Sequence, residues 1–220
     1  MRRSILPLLA LLALPGAAAA QWQVVPQAGY VSYADGSALG GMAVGGVEVL
    51  RDINPLLSAG VSMDFARGKI DGEKFPLAQL DFGVDSTVYA VIHQPVSILS
   101  YGARIEFGPR DGALQPYAGL GAGAYTMFLD AQQWDAPTTL SGFQFAVGGG
   151  LRFRASDQLT LSIDARDVIY PDFDPNKLNV VREENRNNRF PELNPPPLEA
   201  GTMHNIRLTL GLRITRAGGD

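Results

Sequence analysis

Asn205-Ile206-Arg207-Leu208-Thr209-Leu210-Gly211-Leu212-Arg213-Ile214-Thr215 alternates apolar residues with polar or small ones. Ile206, Leu208, Leu210, Leu212 and Ile214 share one parity; Arg207, Thr209, Gly211, Arg213 and Thr215 share the other. Successive side chains of a strand point to opposite faces, so this stretch reads as a strand with one apolar face. Working back along the chain, the same pattern recurs. Leu159, Leu161, Ile163 and Ala165 oppose Thr160, Ser162, Asp164 and Arg166. Phe143, Phe145, Val147, Gly149, Leu151 and Phe153 oppose Gln144, Ala146, Gly148, Gly150, Arg152 and Arg154. Residues 99–108 and 57–66 alternate likewise, and weaker strands lie around 22–33, 39–50 and 116–128. The parity of the first strand stays open; Pro26 there suggests a bulge or a position without a ladder donor. Helical periodicity is hard to find.

Alternation alone does not say which face meets solvent, because a soluble sandwich or barrel alternates too. The polar faces decide. They hold Gly, Ser and Thr with Glu48, Asp64, Glu106 and Asp164 set against Arg104, Arg152, Arg154, Arg166, Arg207 and Arg213. Lysine is nearly absent from these strands. Small residues plus arginine–carboxylate pairs suit a narrow barrel interior, where long side chains interdigitate and satisfy one another. The apolar faces then look at lipid, and closure is required because unpaired strand edges are too costly in hydrocarbon. The ten charged residues named above are the candidate lumen network, with a structural role. An eight-stranded barrel interior is just wide enough for side chains to fill, which favours a plugged lumen over an open one.

The connections fall into two classes. Short ones are 52–55, 109–114 and 156–158; long ones are 69–94, 130–141 and 171–203, with 35–37 a short member of the second set. Alternating short turns and long loops predicts periplasmic turns and external loops, the principal ones near 69–98 and 171–203. The last loop holds six prolines and six asparagines, which predicts partial mobility. Residues 79–93 also alternate, giving a ninth candidate strand. Single-chain barrels of this kind have an even count. The expected fold class is therefore all-β: an eight-stranded antiparallel up-and-down transmembrane β-barrel, with 79–93 a β-rich extension of the second loop. Ten strands is the alternative. The eight tyrosine, tryptophan and phenylalanine positions Trp22, Tyr30, Tyr33, Tyr101, Tyr117, Tyr125, Phe128 and Tyr170 read as interfacial girdle residues at strand ends or on lipid faces.

Three segments carry a family resemblance: PYAGLGAGAY at 116–125, FQFAVGGGLRFRASDQLTLSIDARD at 143–167 and HNIRLTLGLRI at 204–214. They resemble the bacterial outer-membrane β-barrel domain superfamily, of the type of the outer-membrane protein A transmembrane domain. The resemblance implies an eight-stranded barrel inserted by the outer-membrane assembly machinery. The family's insertion signal is a terminal strand with a glycine and hydrophobic residues; Gly211, Leu212 and Ile214 match it in part, without a terminal aromatic.

Outside the strands, Arg2 and Arg3 precede the apolar run 5–14, and Ala18 and Ala20 form an Ala-x-Ala site. Residues 1–20 read as a cleaved signal peptide, too short to span a bilayer, leaving 21–220 as one barrel domain. The net charge of −4 becomes −6 when Arg2 and Arg3 are lost. An acidic balance argues against a nucleic-acid-binding surface. With no cysteine, disulfides, thiolate metal sites and cysteine nucleophiles are excluded.

No catalytic, metal or cofactor site is expected. His93 and His204 are the only histidines. A hydrolase needs a nucleophile and an orienting carboxylate as well; Ser97, Ser100, Asp85 and Glu199 are available, but no spacing recommends them. Asp172, Asp174 and Asn176 imitate an alternating calcium loop, yet Pro171 and Pro175 interrupt it and its glycine and terminal glutamate are missing. The glycine runs 119–123 and 148–150 are followed by no helix, so they are not phosphate loops. The reading is a non-enzymatic outer-membrane barrel with a structural or surface-interaction role. Its expected partners are membrane lipid, the assembly machinery and a possible external ligand at the loops. A narrow passive channel and a barrel enzyme at the external rim are the alternatives.

Overall fold

A computed structural model describes residues 22–75, 77–81, 87–129, 139–178 and 195–215. Among the described residues ten strands follow one another: β1 (Trp22–Ser32), β2 (Met42–Asn54), β3 (Leu57–Lys69), β4 (Ala78–Asp81), β5 (Thr87–Ala90), β6 (Pro95–Phe107), β7 (Leu114–Leu129), β8 (Thr139–Arg154), β9 (Leu159–Phe173) and β10 (Gly201–Thr215). Eight of them close into an antiparallel barrel, each paired with its chain neighbour except that β3 pairs β6 and β1 pairs β10. β4 and β5 pair only with each other, Ala78 opposite Ala90. β4 and β5 thus form a separate two-stranded sheet within the second loop, and the barrel count is eight.

The alternation becomes geometry directly. In β10, Ile206, Leu208, Leu210 and Ile214 lie exposed on the outer wall while Asn205, Arg207, Thr209 and Arg213 are buried inside. The open parity of β1 resolves with Gln23, Val25 and Gln27 inward and Trp22, Val24 and Tyr30 outward. Pairing of β1 to β10 lapses at Val25 and Pro26 and resumes at Gln27, where Gly211 is the partner. Proline carries no N–H to give the ladder.

Both described ends of the chain lie at the same barrel end as the short connections 55–56, 108–113 and 155–158. In one of these, Gly112 sits at φ +89°, a conformation that costs glycine nothing. The strand ends and described residues that flank the longer connections lie at the opposite end. There Leu39 bridges Ile70, Asp71 N–H donates to Ala38 O, and Ile70 N–H donates to Gln94 O, so the first two loops are tied to each other.

The loop half of the interior is apolar, which the parity argument did not anticipate. Met42, Val44, Ile98, Met127, Leu129 and, at the end of β9, Phe173 point inward from the strands, and Leu39, Ile70 and Leu178 close over them from the loops. Tyr33, Tyr125, Tyr170 and Phe173 form an aromatic cluster there, with the Tyr125 and Tyr170 ring centroids 4.3 Å apart. The girdle expectation is corrected accordingly. Tyr33, Tyr117, Tyr125 and Tyr170 are buried inside; Trp22, Tyr30, Tyr101 and Phe128 are the outward members. Tyr117 and Tyr125 share the parity of the β7 glycines, and that parity faces in.

Candidate functional site

The turn half of the interior holds the charges. Two tiers can be traced. In the middle tier, Arg104 Nη2 donates to Asp164 Oδ2 at 3.1 Å and its Nε lies 3.6 Å from Glu48 Oε2. Arg166 Nη1 lies 2.6 Å from Glu48 Oε1 and its Nε pairs Asp164. Arg207 Nη1 donates to Asp64 Oδ2 at 2.6 Å, and Gln27 Nε2 donates to Asp64 Oδ1 at 2.7 Å. The Tyr117 hydroxyl donates to Asp164 Oδ2 at 2.6 Å.

The turn-end tier is built on Glu106. Its Oε1 accepts from Arg104 Nε at 3.0 Å; its Oε2 accepts from Arg213 Nη2 at 2.8 Å and from Arg152. The Arg152 guanidinium also sits 4.0 Å from the Tyr117 ring centroid, where the ring face favours a cation. Arg213 reaches Gln23, and Gln23 Nε2 donates to Asp52 Oδ2 at 2.8 Å. Arg110, from the 108–113 turn, folds back to Asp52 Oδ1 at 2.6 Å and donates to Ser58. Gln115 Nε2 holds that turn by donating to Arg110 O at 2.6 Å and Gly112 O at 3.1 Å. Burial holds the Arg110 guanidinium below its ordinary range; Asp52 opposes the shift and Arg213 adds to it.

Absent side chains make room for these pairs. A Cβ at Gly119 would stand 2.9 Å from Arg104 Nη2, and one at Gly46 would collide with Asp64 Oδ1. These strand glycines thus face large charged groups, leaving space where the guanidinium and carboxylate lie. Between the charged tiers and the apolar half lies a cavity of about 30 Å³, lined in its polar part by Ser62, Asp64, Arg104, Gln144, Arg166 and Arg207, with Gly121 and Ala146 beside them.

Of the ten candidate lumen residues, nine come together here: Glu48, Asp64, Arg104, Glu106, Arg152, Asp164, Arg166, Arg207 and Arg213 are all buried. Arg154 does not. It is the last residue of β8, it is exposed, and its Nη2 pairs Asp157 Oδ1 at 2.9 Å in the following turn. Its parity is inward, but the barrel wall ends there and solvent takes the head group. Gln23, Gln27, Asp52, Arg110 and Tyr117 belong to the network and escaped the sequence reading. Gln23 and Gln27 were legible as the polar residues of one parity in an otherwise apolar strand.

The histidines stand apart. His93 Nδ1 accepts from Gly72 N–H at 3.2 Å within the second loop. His204 lies on the outer wall at the loop end of β10, with Nδ1 2.7 Å from Asp167 Oδ2 on β9. Among the described residues no hydrogen bond joins either histidine to a serine. Asp85 lies outside the described residues. Ser97 and Ser100 stand on β6 and Glu199 is exposed in the last loop. Asp174 Oδ1 accepts from the Asn176 backbone and side-chain nitrogens. Among the described residues no group of three or more His, Asp or Glu is placed to hold a metal ion.

Comparison with solved structures finds similar barrels. Neisserial surface protein A is 12% identical, covering 89% of this chain and 96% of that one, with a TM-score of 0.50. Ail of Yersinia pestis is 13% identical over 89% and 97%, TM-score 0.44, and a major outer membrane protein of Thermus thermophilus is 15% identical over 90% and 100%, TM-score 0.44. No curated protein matches. Residues 4–181 match the family described as outer membrane protein beta-barrel domain, a span that includes β1 to β9. The eight-stranded closed barrel with an apolar outer wall is an outer-membrane β-barrel, and the chain belongs to that family.

Proposed function

We propose that this is a non-enzymatic, non-conducting barrel that presents its loops at the bacterial surface. One observation carries the reading: buried inward side chains recur from the turn end to the loop end of the barrel, charged in the turn half and apolar in the loop half. An ion entering from the turn end would have to separate Arg110 from Asp52, pass the Glu106 tier, and then cross an apolar section where nothing replaces its hydration. That order of barriers supports a plugged lumen over a passive channel.

In this reading residues 1–20 direct export and are cleaved before Gln21, and the assembly machinery inserts the barrel. Turns at 55–56, 108–113 and 155–158 face the periplasm. The loops carrying Asp35, the β4–β5 hairpin and residues 174–200 face outward and meet any external ligand. The wall residues, Leu210 and Phe143 foremost, contact lipid.

The test is reconstitution into planar bilayers at symmetric salt. The expected record shows no reproducible opening steps. A stable, concentration-dependent unitary conductance overturns the plugged lumen and puts the passive channel in its place.

A further inference from the structure

Buried charge in the lumen does not balance. Among the described buried residues five arginines (Arg104, Arg152, Arg166, Arg207 and Arg213) face four carboxylates (Glu48, Asp64, Glu106 and Asp164). The partly buried Arg110–Asp52 pair at the mouth is neutral as a pair. One positive charge is therefore left over in a compartment walled by backbone and lipid. An uncompensated buried ion costs several kcal/mol even after the protein relaxes.

The cavity at the border of the charged tiers and the apolar half is where compensation has room. Three guanidinium groups line it, from Arg104, Arg166 and Arg207, against one carboxylate, Asp64. Asp64 is already engaged by Arg207 Nη1 and by Gln27. Three polar atoms of the lining have no hydrogen-bond partner among the described residues: Arg166 Nε, which only ion-pairs Asp164, Arg207 Nε, on a residue only 7% exposed, and Gln144 Oε1. The Ser62 hydroxyl is a free-rotating donor, and the Gln144 amide can present NH₂ instead of oxygen by turning over. About 30 Å³ is room for one small ion or roughly two waters.

We propose that this cavity binds one small monovalent anion of the chloride class, held by Arg104, Arg166 and Arg207 with Ser62 and Gln144 completing the shell. The anion neutralises the lumen and gives Arg207 Nε its acceptor. This inference goes beyond the surface role and stands whether or not the loops bind a ligand.

Bromide is the probe. Crystals of the detergent-solubilised full barrel grown in bromide should show one anomalous peak within the cavity. In solution, the unfolding midpoint should rise saturably as sodium gluconate is replaced by sodium chloride at fixed ionic strength, because an ion that binds only the folded state stabilises it. Ala146→Val narrows the cavity without touching a charge and should abolish the saturable shift while leaving the barrel folded. Arg213→Gln removes the excess charge outside the cavity and should weaken the shift at least several-fold. Electron density for water alone, with no anomalous peak, overturns the proposal. So does a peak confined to the Arg110 mouth, or a midpoint that follows ionic strength regardless of the anion.

Discussion

Replacing Glu106 by glutamine tests the lumen network at its most connected carboxylate. Glu106 is 2% exposed and accepts from Arg104, Arg152 and Arg213. Glutamine keeps the shape but removes the charge and turns one acceptor into a donor that faces a guanidinium. Three charge-assisted hydrogen bonds at about 1.5–3 kcal/mol each set the ceiling. Breaking a buried ion pair by changing one partner costs about 3–5 kcal/mol in measured cases, since the lost bonds are not additive and the freed cations relax. Arg152 keeps its place over Tyr117 and Arg213 keeps Gln23, so the expected loss is about 3–4 kcal/mol, within that measured range. The assay is denaturant unfolding of the barrel in lipid vesicles, followed by tryptophan fluorescence. Adding Arg152→Met to Glu106→Gln restores the charge difference between the two signs, and the double variant should regain more than about 1 kcal/mol of the loss. A loss below about 1 kcal/mol for Glu106→Gln would refute the claim that these charges are enclosed, because exposed pairs are worth that little.

Leu210, 64% exposed on the outer wall, should cost about 2–4 kcal/mol when changed to arginine near the bilayer midplane, while Thr209→Ser stays near wild type; equal folding yields in vesicles would invert the facing assignment. Met127, fully buried in the apolar half, should lose about 2–5 kcal/mol on change to alanine by the same unfolding assay. Tyr117→Phe removes the hydroxyl that donates to Asp164, and the folded state should weaken by about 1.5–3 kcal/mol. The chain has no cysteine, so single thiols report topology cleanly. A membrane-impermeant maleimide on intact cells should label Asp35→Cys and spare Asp111→Cys, and the reverse pattern would turn the barrel over.

Much of this fold was legible because a barrel wall is the one setting where period-2 alternation, tight turns and long loops must all agree. Ile206 to Ile214 and Leu159 to Ala165 needed no tertiary information: each residue's parity decides its side. Arg154 shows the limit. Parity assigns a direction but not a height, and at the strand's last residue the wall it would face is gone. The apolar half was hidden for a related reason. Val44, Ile98 and Met127 lie on the inward parity, but apolar Leu99 and Phe128 and polar Ser97 and Thr126 share the outward parity beside the last two, so alternation carries no clear signal there. Tyr117 and Tyr125 could have been placed by the glycines flanking them in β7, whose small size marks the crowded side. Residues 179–194 of the last loop, where composition predicted mobility, lie outside the described residues.

Arg207 and Arg213 both come from the final strand, and the carboxylates they serve, Asp64 and Glu106, lie 143 and 107 residues earlier. Until β10 zips against β1, Arg104, Arg152 and Arg166 alone among the described buried arginines face the four buried carboxylates, and Asp64 has no arginine. Electrostatic relief for Asp64 therefore arrives only with β10. A barrel without β10 would hold a surplus acid where the closed barrel holds a surplus base, so closing the seam reverses the sign of the enclosed charge.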